Sequence, residues 1–129
     1  MTILRSTLAV VAGIATFSLA LLAMTAAGNA LLGAEPEWIN RSVATQLAWL
    51  AWNIVSMIGG GCVTAWLAPK APVAHAVVMG TIQACFTLAA MLTVTDDVTP
   101  PWLWIGGIAT TIPSAWVGAR LRGRLPVRG

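Results

Sequence analysis

The sequence predicts an all-α integral membrane protein, with four transmembrane helices in an up-down bundle and both termini cytoplasmic. Three observations carry this reading. Of 129 residues, 58% are hydrophobic and only 9% charged, where a soluble domain carries about 25% charged residues. The apolar residues gather into segments of about 3–32, 42–68, 72–95 and 101–121, each longer than the roughly 20 residues needed to cross the hydrocarbon. Along the chain, Arg5, Lys70 and the arginines from Arg120 onward alternate with Glu35, Glu37, Asp96 and Asp97. The positive-inside rule then puts the basic ends in the cytoplasm. Residues 1–129 read as one transmembrane domain, with no room for a separate soluble one.

The first segment follows Arg5 and ends before Gly33. A secretory signal has an apolar core of about 7–15 residues, and this stretch is about twice that, so it reads as a retained helix. Thr2, Ser6, Ala9, Gly13, Thr16, Ala20, Ala23, Ala27 and Ala30 repeat at intervals of four and three. Such a stripe of small residues lets a neighbouring helix approach closely.

On the second segment Gln46, Asn53, Ser56, Gly60 and Thr64 share one face. Two readings follow, a polar lining for a permeation path or interhelical hydrogen bonding, and the absence of any charge in the stripe favours the second. The run Gly59-Gly60-Gly61 costs helix propensity, which suits a place where another backbone comes very close. A tight turn, Pro69-Lys70-Ala71-Pro72, joins this segment to the third.

The third segment places Ala76, Gly80, Gln83 and Thr87 on one face. The fourth begins at Pro100-Pro101 with Thr99 as N-cap, and repeats Gly106, Thr110, Ser114 and Gly118 every four residues. The expected helix-packing residues are Gly13, Gly60, Gly80, Gly106, Gly107 and Ser114. The expected polar interhelical residues are Gln46, Asn53 and Gln83. Pro113 removes one helix hydrogen bond and predicts a kink. Residues 122–129 read as a basic tail.

The net charge of +3 is no nucleic-acid signal, because four of the seven basic residues stand in the last ten positions. Lys70, Arg120, Arg122, Arg124 and Arg128 instead fit anionic lipid headgroups at the inner surface. Trp38, Trp102 and Trp104 suit the outer interface, Trp66 and Trp116 the inner one, and Trp49 and Trp52 sit deeper. Cys62 and Cys85 differ in depth by roughly 10 Å at about 1.5 Å rise per residue, too far for a disulfide, and read as small apolar fillers.

Catalysis within a membrane calls for buried ionisable or metal-binding groups, and the four segments hold none away from their ends. His75 is the one histidine, a weak metal candidate that would need a second ligand, as from a symmetric dimer. The acidic loops around Glu35, Glu37, Asp96 and Asp97 read as solvated charge. No nucleotide-binding loop, nucleophile elbow or zinc spacing appears. The expectation is therefore no enzyme, no metal and no cofactor.

Gly60-Gly61, Ala65, Ala68-Pro69, Pro72, His75-Ala76 and Gly80, followed by Pro101-Trp102 and an arginine-terminated helix, resemble small uncharacterised bacterial four-helix inner-membrane proteins. The resemblance covers the second half of the chain and implies a fold and an inner-membrane location, with no known reaction. Small multidrug exporters rely on a glutamate within the first helix, whereas Glu35 lies past its end here. Dual-topology fluoride channels show little charge bias between faces, unlike this arginine-tailed chain.

Two functions remain open. One is a non-enzymatic packing or accessory subunit in a homo-oligomer or larger membrane complex, with the lipid bilayer and other membrane subunits as partners and no nucleic acid. The other is a small transporter or channel lined by Gln46, Asn53 and Gln83. In a cysteine-free background, Glu37→Cys and Asp97→Cys are expected to react with an impermeant thiol reagent in intact cells, and Lys70→Cys is not. Labelling at position 70 reverses the orientation.

Overall fold

The computed structural model describes residues 2–32, 42–93 and 99–124. They form four α-helices, α1 (Thr2–Leu32), α2 (Val43–Leu67), α3 (Pro72–Thr93) and α4 (Pro101–Arg124), with no strand among the described residues. Glu35, Glu37, Trp38, Asp96, Asp97 and Arg128 lie outside the described residues.

Local chemistry explains the ends. Ser42 caps α2 with a reciprocal capping box. Its hydroxyl accepts from the Thr45 backbone N–H at 3.2 Å, and its own N–H donates to Thr45 Oγ1 at 3.1 Å, which satisfies two otherwise orphaned donors. At the other end of α2 the Ala68 N–H bonds the Thr64 carbonyl at 2.9 Å. Ala71 then reverses the chain with a φ of 47°, a left-handed conformation that costs a residue with a Cβ about 1–2 kcal/mol. Pro72, already fixed at a helical φ, starts α3.

Residues 94–95, expected to end the third segment, lie outside the described residues. One helix boundary differs from the sequence expectation: α4 runs on to Arg124, taking in arginines assigned to the tail. Arginine is a good helix former, cations suit a helix C-terminus, and the chain meets no proline between Pro113 and Pro126.

Contacts establish the helix directions. Gly13 faces Gly60 and Thr64 while Ala20 faces Trp52, so α1 and α2 are antiparallel. Gly80 faces Thr111, Ile112 and Ala115 while Ala76 clusters with Ala119, so α3 and α4 are antiparallel too. Leu50 meets Gly106 and Gly61 meets Ala115, which makes α2 and α4 parallel. The helices therefore alternate in direction along the chain.

Their arrangement is not a simple ring in chain order. α2 packs against all three other helices, and its longest interface is with α4. Among the described residues α1 and α4 have no backbone approach and occupy opposite corners, bridged where Met24 reaches Leu103. The order around the bundle is α1, α2, α4, α3. Burial agrees, since 33% of the apolar span of α2 is buried against 17% for α1 and α3.

Glycines make this order possible. A Cβ built at Gly118 would collide with the Ile58 carbonyl oxygen and lie 2.8 Å from the Cys62 nitrogen. One at Gly61 would collide with the Ala115 carbonyl oxygen and stand 2.8 Å from the Ala115 Cα. α2 and α4 thus touch backbone to backbone at two successive levels. α1 crosses α2 in the same way, for a Cβ at Gly13 would lie 2.8 Å from the Gly60 oxygen and one at Gly60 2.8 Å from the Gly13 oxygen. Each glycine turns its second Hα toward the other's carbonyl, the geometry of a weak Cα–H···O bond.

Three helices are long and apolar enough to cross a membrane, over Ile3–Leu31, Val43–Leu67 and Pro72–Thr93. α4 falls short of the apolarity expected of a fourth span. Pro113, Gly106, Gly107, Gly118 and Gly123 dilute its apolar content, and Arg120, Arg122 and Arg124 charge its last turns. The surface of the bundle is apolar nonetheless, with Leu4, Leu19, Leu22, Val55, Phe86 and Leu92 all exposed.

Gly118→Ala and Gly61→Ala are expected to destabilise the bundle by about 1–3 kcal/mol through overpacking. Gly59→Ala, where a Cβ meets nothing within 4 Å, is expected to be neutral or to stabilise by up to about 1 kcal/mol through helix propensity. Equilibrium unfolding in mixed micelles measures both, and equal effects at positions 59 and 118 would remove the backbone contact as the cause.

Candidate functional site

The polar face of α2 points inward along its whole length. Gln46, Asn53, Ser56 and Thr64 are all buried, Thr64 completely, and α4 adds buried Thr111 and Ser114. Gln83 of α3 is half-buried. This stripe is interrupted at mid-depth, where Phe17, Met57, Met79 and Ala115 from all four helices close into one apolar cluster. Met57 and Met79 are fully buried. Asn53 lies on the α1–α2 connection side of this plug and Thr64 on the α2–α3 turn side.

Hydroxyls in the bundle fall into two contrasting groups. Thr7, Thr16, Thr81, Thr87, Thr93, Thr110 and Thr111 each donate to the carbonyl four residues back, at 2.6–3.0 Å. Ser56 Oγ and Thr64 Oγ1 are buried without any hydrogen-bond partner. Thr64 Oγ1 is instead pressed against the open side of Gly13, and a buried, unpaired hydroxyl costs about 1–3 kcal/mol.

A tertiary hydrogen bond joins α2 to α1, from Trp52 Nε1 to the Ala20 carbonyl at 2.9 Å. It explains a tryptophan far from either interface, since the indole N–H finds its acceptor on a neighbouring backbone. Pairing by residue type could not reveal this bond, because the acceptor is a main-chain oxygen laid open by small side chains.

The expected packing residues separate into groups. Gly13, Gly60 and Gly80 stand at close crossings, with a Cβ at Gly80 3.1 Å from the Ala115 Cβ. Ser114 is buried between helices. A Cβ at Gly106 would make only ordinary contact with Leu50 at 3.6 Å, and one at Gly107 would meet nothing within 4 Å, so neither is a crossing glycine. That role falls to Gly61 and Gly118. The stripe through Gly106, Thr110, Ser114 and Gly118 carried the signal for Gly118, but on α4 the close approach occurs at its C-terminal end. Cys62 and Cys85 are free thiols, and Cys85 is exposed rather than filling a gap.

At the basic end, Arg5, Lys70 and Arg120 are exposed and Arg122 is half-exposed. The Arg120 guanidinium lies over the Trp116 ring at 5.0 Å, a cation–π contact of about 0.5–1 kcal/mol at exposed sites. Arg124 ends the helix.

His75 belongs to the turn. The Ala71 carbonyl accepts from the His75 backbone N–H at 3.1 Å and meets its ring Nδ1 at 3.0 Å. This doubly bonded oxygen holds the left-handed Ala71 in place and leaves Nε2 for another partner. His75 also lines a groove between α1 and α3, the thinnest helix pairing of the bundle, about 470 Å³ in volume. Among the described residues no three His, Cys, Asp or Glu side chains converge as a metal site.

No protein-family model, curated protein or solved structure matches this chain. Ser56→Ala and Thr64→Val are expected to leave stability unchanged or raise it by about 1 kcal/mol, because each removes an unsatisfied buried hydroxyl. Trp52→Phe is expected to lower it by about 0.6 kcal/mol, the average for an interhelical hydrogen bond in a membrane. A loss above about 1 kcal/mol at position 56 or 64, measured by the same unfolding titration, would mean the hydroxyl is bonded.

Proposed function

We propose that this protein is a non-enzymatic packing or accessory subunit of the bacterial inner membrane, working in a homo-oligomer or a larger membrane complex. The observation that carries the reading is the plug of Phe17, Met57, Met79 and Ala115 across the polar stripe. The polar side chains of α2 are buried between helices, and a passive pore needs a continuous polar path that this cluster closes. α4 is the fourth span in this proposal. It follows α2 from Leu103 to Gly118 and so shares its surroundings, with its arginines at the cytoplasmic surface beside both termini.

Assembly draws on α1. Its small-residue stripe is buried at Ala9 and Gly13 but exposed at Ala23, Ala27 and Ala30. The exposed half offers a helix of another subunit the close approach that small residues permit.

A small transporter or channel is the second reading. The unpartnered Ser56 and Thr64 hydroxyls favour it, with Gln46, Asn53 and Gln83 as further lining groups. Reconstituted protein is expected to show proton, monovalent-cation and fluoride fluxes within the background of empty liposomes, and His75→Ala is expected to remain folded and membrane-inserted. A saturable flux abolished by Asn53→Ala or Gln83→Ala would replace the subunit with the transporter.

A further inference from the structure

We infer that the groove between α1 and α3 holds one acyl chain of an anionic phospholipid, with its phosphate at the basic end beside Arg5, Lys70 and His75. The inference rests on membrane insertion as proposed above and not on any assembly. Its walls are Val10, Val11 and Ile14 on α1 and Ala74, Val78 and Ile82 on α3. Its polar groups, Ser6, Thr7 and His75, gather at the end where α1 and α3 both begin. The walls run from position 6 to 14 and from 74 to 82, about 12 Å at a 1.5 Å rise per residue. One leaflet of a hydrocarbon core about 30 Å thick is roughly 15 Å deep. The volume, about 470 Å³, lies within the roughly 300–1,000 Å³ of ligand pockets. An occupant of this shape has an apolar tail one leaflet long and a polar head at one end.

Charge selects the head. Arg5 precedes Ser6 and Lys70 precedes the α3 turn, both exposed. The four acidic residues of the chain all fall in the α1–α2 and α3–α4 connections, away from the α2–α3 turn in sequence. His75 Nδ1–H donates to the Ala71 carbonyl, so only the imidazolium form has an Nε2–H to give a phosphate oxygen. Arginine and lysine are suitable phosphate partners, one by a forked donor and the other as a point charge. A second copy of the chain would bring a helix about 10 Å across to a cleft between two helices that already touch. A single chain fits it better.

The test compares phosphatidylglycerol with phosphatidylcholine of the same acyl chains by native mass spectrometry of the full-length protein. Phosphatidylglycerol adducts are expected to exceed phosphatidylcholine adducts at least fivefold. Ala74→Phe fills the groove from an exposed position and is expected to abolish the excess, whereas Leu92→Phe on the same helix leaves it intact. A phosphatidylglycerol carrying a photoreactive acyl chain is expected to crosslink the unaltered protein within residues 6–14 and 74–82. Equal binding of the two lipids, retention by Ala74→Phe or crosslinks elsewhere would overturn the site, general attraction to the basic end being insensitive to position 74. Alkaline extraction of membranes run in parallel separates the two failures. A protein that stays in the membrane without these adducts refutes the lipid site alone, and one that is extracted refutes insertion and the site together.

Discussion

Two helices can come into backbone contact only where neither carries a side chain at the crossing, and the fold depends on this at α2. Gly61 and Gly118 remove that obstacle on opposite sides of the α2–α4 interface, one against Ala115 and the other against Ile58 and Cys62. Gly13 and Gly60 remove it between α1 and α2. In a lipid environment helix association has little hydrophobic driving force, so close packing and interhelical hydrogen bonding must supply it. Many short contacts, each worth about 0.1–0.2 kcal/mol, then favour α2 as the centre and bring α4 to its side in place of α3.

That central position accounts for the polar residues. A helix with three neighbours on one side can carry Gln46, Asn53, Ser56 and Thr64 inward, between helices. The apolar cluster at Phe17, Met57 and Met79 then fills the space that glycines and short polar side chains leave. The flexible methionine side chains are suited to such an irregular gap. Ser56 and Thr64 show what close approach costs. Thr64 directs its oxygen at Gly13 instead of bonding back to the Gly60 carbonyl, and that carbonyl faces Gly13 across the same crossing.

The bundle is also asymmetric in a way that bears on function. α2 and α4 are tightly joined, whereas α1 and α3 barely meet, and the groove opens between them at the basic end. His75 stands at that mouth while pinning the strained turn at Ala71. One residue thus links the reversal between α2 and α3 to the groove between α1 and α3.

Composition and segment length by themselves determined the helical class and predicted four spans, of which three are long and apolar enough to cross a membrane, because burial in lipid requires long uninterrupted apolar helices whatever their neighbours are. The period of the α2 stripe likewise determined that Gln46, Asn53, Ser56 and Thr64 share a face, since helical geometry alone relates them. The ring order α1–α2–α4–α3 was decided by tertiary structure. So was the choice of Gly61 and Gly118 over Gly106 and Gly107 as crossing points. A small residue permits close approach but does not select a partner, and the selection depends on where two whole helix surfaces fit. The Trp52 bond to Ala20 and the groove beside His75 belong to the same level, because each is formed by residues distant in sequence that only packing brings together.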